Sequence, residues 1–152
     1  MPKKLTSKKG FTLVELLIVI AILGVLVTIG LGSFRSSQAR GRDAERKSDL
    51  KQIASSLELY FSDYEAYPDS IPWGAEFTDG KTVYFKVVPK DPISDYSYFY
   101  RVDSTNQKFQ IFAYLENTQD PSLIVTAYSC GPSKNCNFAI TSSNTTPSDS
   151  SW

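Results

Sequence analysis

The sequence predicts an α+β protein: one long N-terminal α-helix, apolar in its first half and amphipathic in its second, packed on a small antiparallel β-sheet of about three to four strands. Three observations carry this expectation. An apolar run with a single charge begins at Phe11, no proline occurs between Phe11 and Tyr67, and β-branched and aromatic clusters separated by turn residues fill the second half.

The run FTLVELLIVIAILGVLVTIGL, Phe11 to Leu31, carries a single charge, Glu15. It is long enough to cross a hydrocarbon core as a helix, which takes roughly 20 residues. A cleaved secretory signal is the rival reading, but its apolar region is shorter and ends in a small-residue cleavage site, whereas SFRSSQARGR follows here. A carboxylate in such a span costs roughly 2.5 to 3.5 kcal/mol on insertion scales, so Glu15 asks for a function.

Beyond Arg42, Leu50, Ile53, Leu57, Tyr60 or Phe61, and Tyr64 recur at steps of three and four, with Lys47, Asp49, Lys51 and Glu58 on other faces. The spacing predicts a helix continuing to about Tyr64 and stopping before Pro68, roughly 80 Å long at 1.5 Å per residue. The basic cluster RSSQARGRDAERK reads as a solvated helical face near anionic headgroups. Asp43 and Glu45 interrupt it, which weakens the alternative of a nucleic-acid track.

After the helix, KTVYFKVVP predicts a short strand. YSYFYRVD and QKFQIFAYLE predict a hairpin about the turn STN, and SLIVTAYS a third strand. Phe109, Ile111 and Ala113 alternate with Gln110 and Phe112, so one sheet face should cover the helix stripe. The aromatic residues read as core and sheet packing. TSSNTTPSDSSW reads as a mobile tail, and the sequon Asn144-Thr145-Thr146 as chance.

Composition narrows the chemistry. There is no histidine, which removes His-based general-base catalysis, Ser-His-Asp and Cys-His arrangements and most catalytic zinc sites. No other catalytic motif is present, so the protein is expected to be non-enzymatic, with no cofactor and no metal. The formal net charge is zero, yet Lys3, Lys4, Lys8 and Lys9 precede Gly10; their removal would leave twelve basic against sixteen acidic residues. That balance implies no general binding of polyanions. Those lysines favour a cytoplasmic N-terminus, although Arg35, Arg40, Arg42, Arg46 and Lys47 beyond the span weaken the asymmetry. Cys130 and Cys136 cannot fill a zinc site alone. They read as a disulfide if the C-terminal part leaves the cytoplasm, with free thiols the alternative.

KKG followed by FTLVELLIVIAILG, from Lys8 to Gly24, resembles the leader and N-terminal helix of type IV pilins and their pseudopilin relatives. The match joins a basic leader, a glycine before a phenylalanine, a glutamate five residues past the glycine and an apolar helix. It is strong to about Ser33 and looser over SDLKQIASSLELYFSDYEAYP, with VPKDP and FAYLEN similar to phrases of type II secretion major pseudopilins.

The resemblance implies the pilin fold, cleavage between Gly10 and Phe11 by a prepilin peptidase that also N-methylates Phe11, and assembly through Glu15. The Glu15 carboxylate would pair with the freed amine of a neighbouring copy, where truncating one partner of a buried pair costs about 3 to 5 kcal/mol. The simpler alternative is that Glu15 snorkels to the headgroups.

The domain expectation is a leader over 1–10, an apolar helix over 11–32, a globular domain over 33–140 that includes the amphipathic helix to about 64, and a flexible tail over 141–152. Partners implied are further copies of the chain, the processing peptidase and an assembly platform in the membrane, with nucleic acid only for a DNA-uptake pilin. The expected location is the inner membrane, N-terminus in the cytoplasm, before incorporation into an extracellular or periplasmic filament.

Two departures bear on subtype. Where many members carry a proline after the span, this chain has Gly30 and Gly32, which permits local melting of the helix. Where type II major pseudopilins carry a carboxylate-rich calcium loop, no Asp or Glu lies between Asp120 and Asp149, and SCGPSKNC stands there instead. A disulfide loop at that place is more like a type IV pilin. The function implied is a structural subunit of a type IV pilus-like filament, with a secretion or competence pseudopilin and a non-polymerising bitopic binding protein as alternatives.

Overall fold

The structure, a computed structural model, describes residues 10–149, with the side chains of 29–33 excepted. The leader lysines, the side-chain surroundings of Gly30 to Leu31 and of Gly32, and the last three residues of the expected tail lie outside the described residues. The chain divides into two units, residues 1–38 and 39–152.

Helix α1 spans Leu13–Tyr64, ending where expected and starting two residues after Phe11. Its end is set by Glu65, which adopts φ 53° and donates its N–H to Phe61 O at 2.8 Å, closing the last turn in a left-handed conformation. Glycine is the usual residue there. Gln107 compensates by donating its side-chain amide to Glu65 O at 2.7 Å.

In the second unit the architecture is α+β with antiparallel pairing throughout. A three-stranded sheet has the order β3 (Phe99–Val102), β4 (Phe109–Ala113), β7 (Phe138–Thr141). Two short ribbons flank it, β1 (Phe77–Thr78) with β2 (Val83–Phe85) and β5 (Ser129–Gly131) with β6 (Lys134–Asn135). The expected β3–β4 hairpin closes on Asp103, whose carboxylate accepts the backbone N–H groups of Gln107 and Lys108, each at 2.7 Å. Asn106 supplies the positive φ the turn needs.

The core forms where the amphipathic stripe meets the sheet. Leu50, Ile53 and Leu57 are fully buried with Phe109, Ile111, Ala113 and Leu115. The sheet's other face is buried too, since all five positions of β4 are inaccessible. Phe112 packs with Cys130, Cys136 and Tyr128, and Gln110 lies beneath the C-terminal segment.

Two expectations need correction. SLIVTAYS is not the third strand of the sheet: NFAIT takes that place as β7, and residues 122–128 form a strap over the sheet. Tyr128 anchors the end of the strap, stacking on Phe99 with ring centroids 4.9 Å apart and lying 4.7 Å from Phe112. Residues 142–149, expected to be loose, are tied down instead. Gln110 donates to Thr146 O at 2.6 Å, Asn144 to Gln107 O at 2.9 Å, and Thr141 Oγ1 to Thr145 O at 3.1 Å.

Candidate assembly site

Within the first unit, Gly10 to Thr12 precede the helix, and Gly10 and Phe11 are exposed. Thr12 is the N-cap: Glu15 N–H donates to Thr12 Oγ1 at 3.3 Å. In return Glu15 Oε2 accepts Thr12 N–H at 2.9 Å and the Thr12 hydroxyl at 2.7 Å. This reciprocal capping box satisfies donors that an N-terminal turn leaves open. Sequence reasoning passed over Thr12 although T-x-x-E ahead of an apolar run announces it.

From Leu13 to Val27 the large apolar side chains retain 46 to 79% of their exposure on every face of the helix. A helix apolar all round needs cover from lipid or other helices, because no single packing partner can hide its whole circumference. Among the described residues no helix is long and apolar enough to cross a membrane.

The basic cluster behaves differently from the expected solvated face. Arg46 is completely buried. Its Nε and Nη2 bind the two oxygens of Asp91 at 2.7 and 2.9 Å, and its Nη1 reaches Asp43 at 2.9 Å and Glu116 at 2.8 Å. Arg42 adds a two-pronged contact to Glu116 at 2.7 and 2.6 Å, and Lys47 binds Asp120 at 2.7 Å. Asp43 also accepts the backbone N–H groups of Glu116 and Asn117 at 2.9 and 2.8 Å.

Glu116 and Asp120 carry the electrostatic consequence. The hydrogen bond from Arg42 holds Glu116 down to about 2, and that from Lys47 holds Asp120 down to about 2. Arg46 is pushed further above its ordinary value, burial being outweighed by its bonds to Asp91 and Glu116. Burial raises Asp49, which accepts the Tyr98 hydroxyl at 2.7 Å. Every partner of Arg46 but Asp43 comes from the loops, so the cluster fastens the loops holding Asp91 and Glu116 to the helix. One signal could have found it: Arg46, Leu50, Ile53 and Leu57 follow one another at steps of four, three and four along a single buried stripe.

Cys130 and Cys136 form a disulfide with Cα atoms 5.0 Å apart, closing the β5–β6 hairpin. The hairpin is bolted to neighbouring segments by Ser97 N–H to Cys130 O at 2.9 Å and Cys136 N–H to Tyr128 O at 2.7 Å.

Comparison with known proteins begins at the same N-terminus. Residues 5–31 match the prokaryotic N-terminal methylation motif. The type IV major pilin protein PilA of Myxococcus xanthus (strain DK1622) is 41% identical over 61 residues, 40% of this chain but 28% of that pilin. The type II secretion system core protein G of Pseudomonas aeruginosa is 30% identical over 119 residues, 70% of this chain and 82% of the relative. The chain belongs to the type IV pilin and pseudopilin family. The type IV major fimbrial protein FimA of Dichelobacter nodosus, 36% identical over 75 residues, covers 48% of each chain. No solved structure matches. These family relatives are named as pilins, fimbrial proteins and secretion core proteins, none as an enzyme.

Proposed function

We propose that the chain is a structural subunit of a type IV pilus-like filament, cut between Gly10 and Phe11, methylated on Phe11 and polymerised through its N-terminal helix. The observation that carries this reading is the apolar stretch of helix exposed on every face and headed by a single capped carboxylate. Before assembly lipid covers that helix, with the globular part on the far side of the inner membrane, where the disulfide is stable. In the polymer the helices cover one another, and keeping that surface from water, at about 25 cal/mol per Å², holds the filament together once lipid is left behind. The exposed, unhelical backbone at Gly10 and Phe11 suits a peptidase, which must bind its substrate extended.

A short secretion filament is the second reading, favoured because core protein G is matched over 82% of its length while PilA is matched over 28%. The disulfide hairpin in the place of a carboxylate-rich loop favours the pilus. Mass spectrometry of the mature N-terminus tests the common step: methylated Phe11 is expected, and an intact Met1 in assembled material would overturn it. Electron microscopy of sheared cell-surface material then separates the readings, since long external fibres are expected only of the pilus.

A further inference from the structure

A cavity of about 160 Å³ in the second unit is lined by Trp73, Lys90, Asp91, Tyr96, Ser97 and Tyr98. Its walls are aromatic: Trp73 and Tyr98 rings lie 5.9 Å apart and tilted, and the Tyr96 ring meets Tyr114 edge-on at 5.4 Å. Small-ligand sites are typically of this composition, apolar surfaces with a few directed polar groups.

The free polar groups are weighted toward donors. Asp91 spends both oxygens on Arg46 and also accepts Ile93 N–H at 2.9 Å, so the acid in the lining is engaged. The Tyr98 hydroxyl is committed to Asp49. What remains is the Trp73 indole N–H, the Tyr96 and Ser97 hydroxyls and the Lys90 ammonium, none with a side-chain hydrogen bond or ion pair among the described residues. The cavity therefore offers donors, two hydroxyls that can donate or accept, and a flat apolar surface, with its carboxylate engaged.

The chain holds these groups in place. Gly74, at φ +75°, lets the Lys90 side chain lie across its backbone; a Cβ there would stand 2.3 Å from Lys90 Cε. Gly131 of the disulfide hairpin does the same for Tyr96: a Cβ would come 2.7 Å from its Cδ1 and 2.9 Å from Asp95 O. The Ser97 backbone is bonded to Cys130 O. The hairpin is thus the buttress of the cavity wall.

From this complement of groups we infer that the cavity is a binding site for an acidic saccharide, a pyranose ring whose apolar face lies on Trp73 and whose carboxylate meets Lys90. A sugar ring supplies a flat C–H face and an edge rich in acceptors, the complement of this lining. The carboxylate is required because Lys90 is the one uncompensated charge in the lining.

The test uses the full-length chain in detergent micelles, titrated calorimetrically with sodium D-glucuronate, D-glucose and sodium benzoate. Glucuronate is expected to bind at least tenfold more tightly than glucose. Lys90→Gln, an exposed substitution that leaves the fold untouched, should bring glucuronate to the level of glucose, and Trp73→Ala should remove both. Gly131→Ala should weaken glucuronate several-fold. Glucuronate binding no tighter than glucose, or a Lys90→Gln variant that binds as the parent does, overturns the inference. So does benzoate binding without glucuronate, which would mark an aromatic-acid pocket.

Discussion

Replacing Arg46 by methionine tests whether the buried ion cluster holds the globular unit together. The substitution keeps much of the side chain's length and removes four hydrogen bonds, two to Asp91 and one each to Asp43 and Glu116. What it leaves decides the magnitude. The side chains of Asp91 and Asp43 are 1% and 5% exposed, so two anions lose their cation where water cannot replace it. Leaving one partner of a buried pair uncompensated costs about 3 to 5 kcal/mol. Against a domain stability of about 5 to 15 kcal/mol that is a large share. In a thermal melt followed by circular dichroism it corresponds to a fall of about 10 to 20 °C for a unit of this size. Adding Asp91→Asn should restore at least about 1 kcal/mol, because the second change removes the stranded charge. A single variant melting within about 3 °C of the parent would refute the reasoning.

Other outcomes follow from the same structure. Reducing the disulfide, or replacing both cysteines by serine, should cost about 2 to 2.5 kcal/mol on the chain-entropy model for so short a loop, measured by urea unfolding. Glu116 and Asp120 are both held near 2, below their unfolded values, so their contribution is present in full above about pH 5 and is lost as pH falls toward 2. A pH series of melts should therefore be flat from about 5 to 7 and fall below 4.5, by ~2 kcal/mol for Glu116 after allowance for solvent screening. Thr12→Ala should cost the helix about 1 kcal/mol yet permit filaments, whereas Glu15→Gln should keep a helix cap and abolish or strongly slow assembly, scored by microscopy.

Much of the fold was legible because periodicity is local. Leu50, Ile53 and Leu57 announced the buried stripe, and Asp103 to Lys108 the turn that makes the hairpin. Long-range choices were not. Both SLIVTAYS and NFAIT have strand composition, and what selects the second is Asn137. Its side chain accepts Leu115 N–H at 2.6 Å and donates to Leu115 O at 2.9 Å, its N–H donates to Ala113 O at 3.0 Å, and its carbonyl accepts Ile124 N–H at 2.8 Å. One polar residue thereby fixes β7 beside β4 and turns the rival segment into a strap. Arg46 was hidden for a similar reason: its neighbours in sequence read as solvent-facing charges, and Asp91 and Glu116 lie 45 and 70 residues away. The unpaired donors around Trp73 likewise meet only in three dimensions.

On the proposed reading Glu15 would have two tasks that look at first incompatible, capping its own helix and pairing with another copy. The geometry removes the conflict. Both bonds from Thr12 go to Oε2, so the second carboxylate oxygen keeps its lone pairs for an incoming donor. Capping also fixes the side chain close to the helix start, where removal of the residues before Phe11 would create a new cation on every copy. A carboxylate already turned and held by Thr12 loses less side-chain entropy on pairing than a free one would. The cap is therefore best understood as preparation for assembly, and the two tasks separate by charge: glutamine at position 15 can still accept the Thr12 bonds but cannot neutralise an amine. If Glu15→Gln filaments formed at the parental rate, hydrogen bonding alone would suffice and the charge would have no part in register.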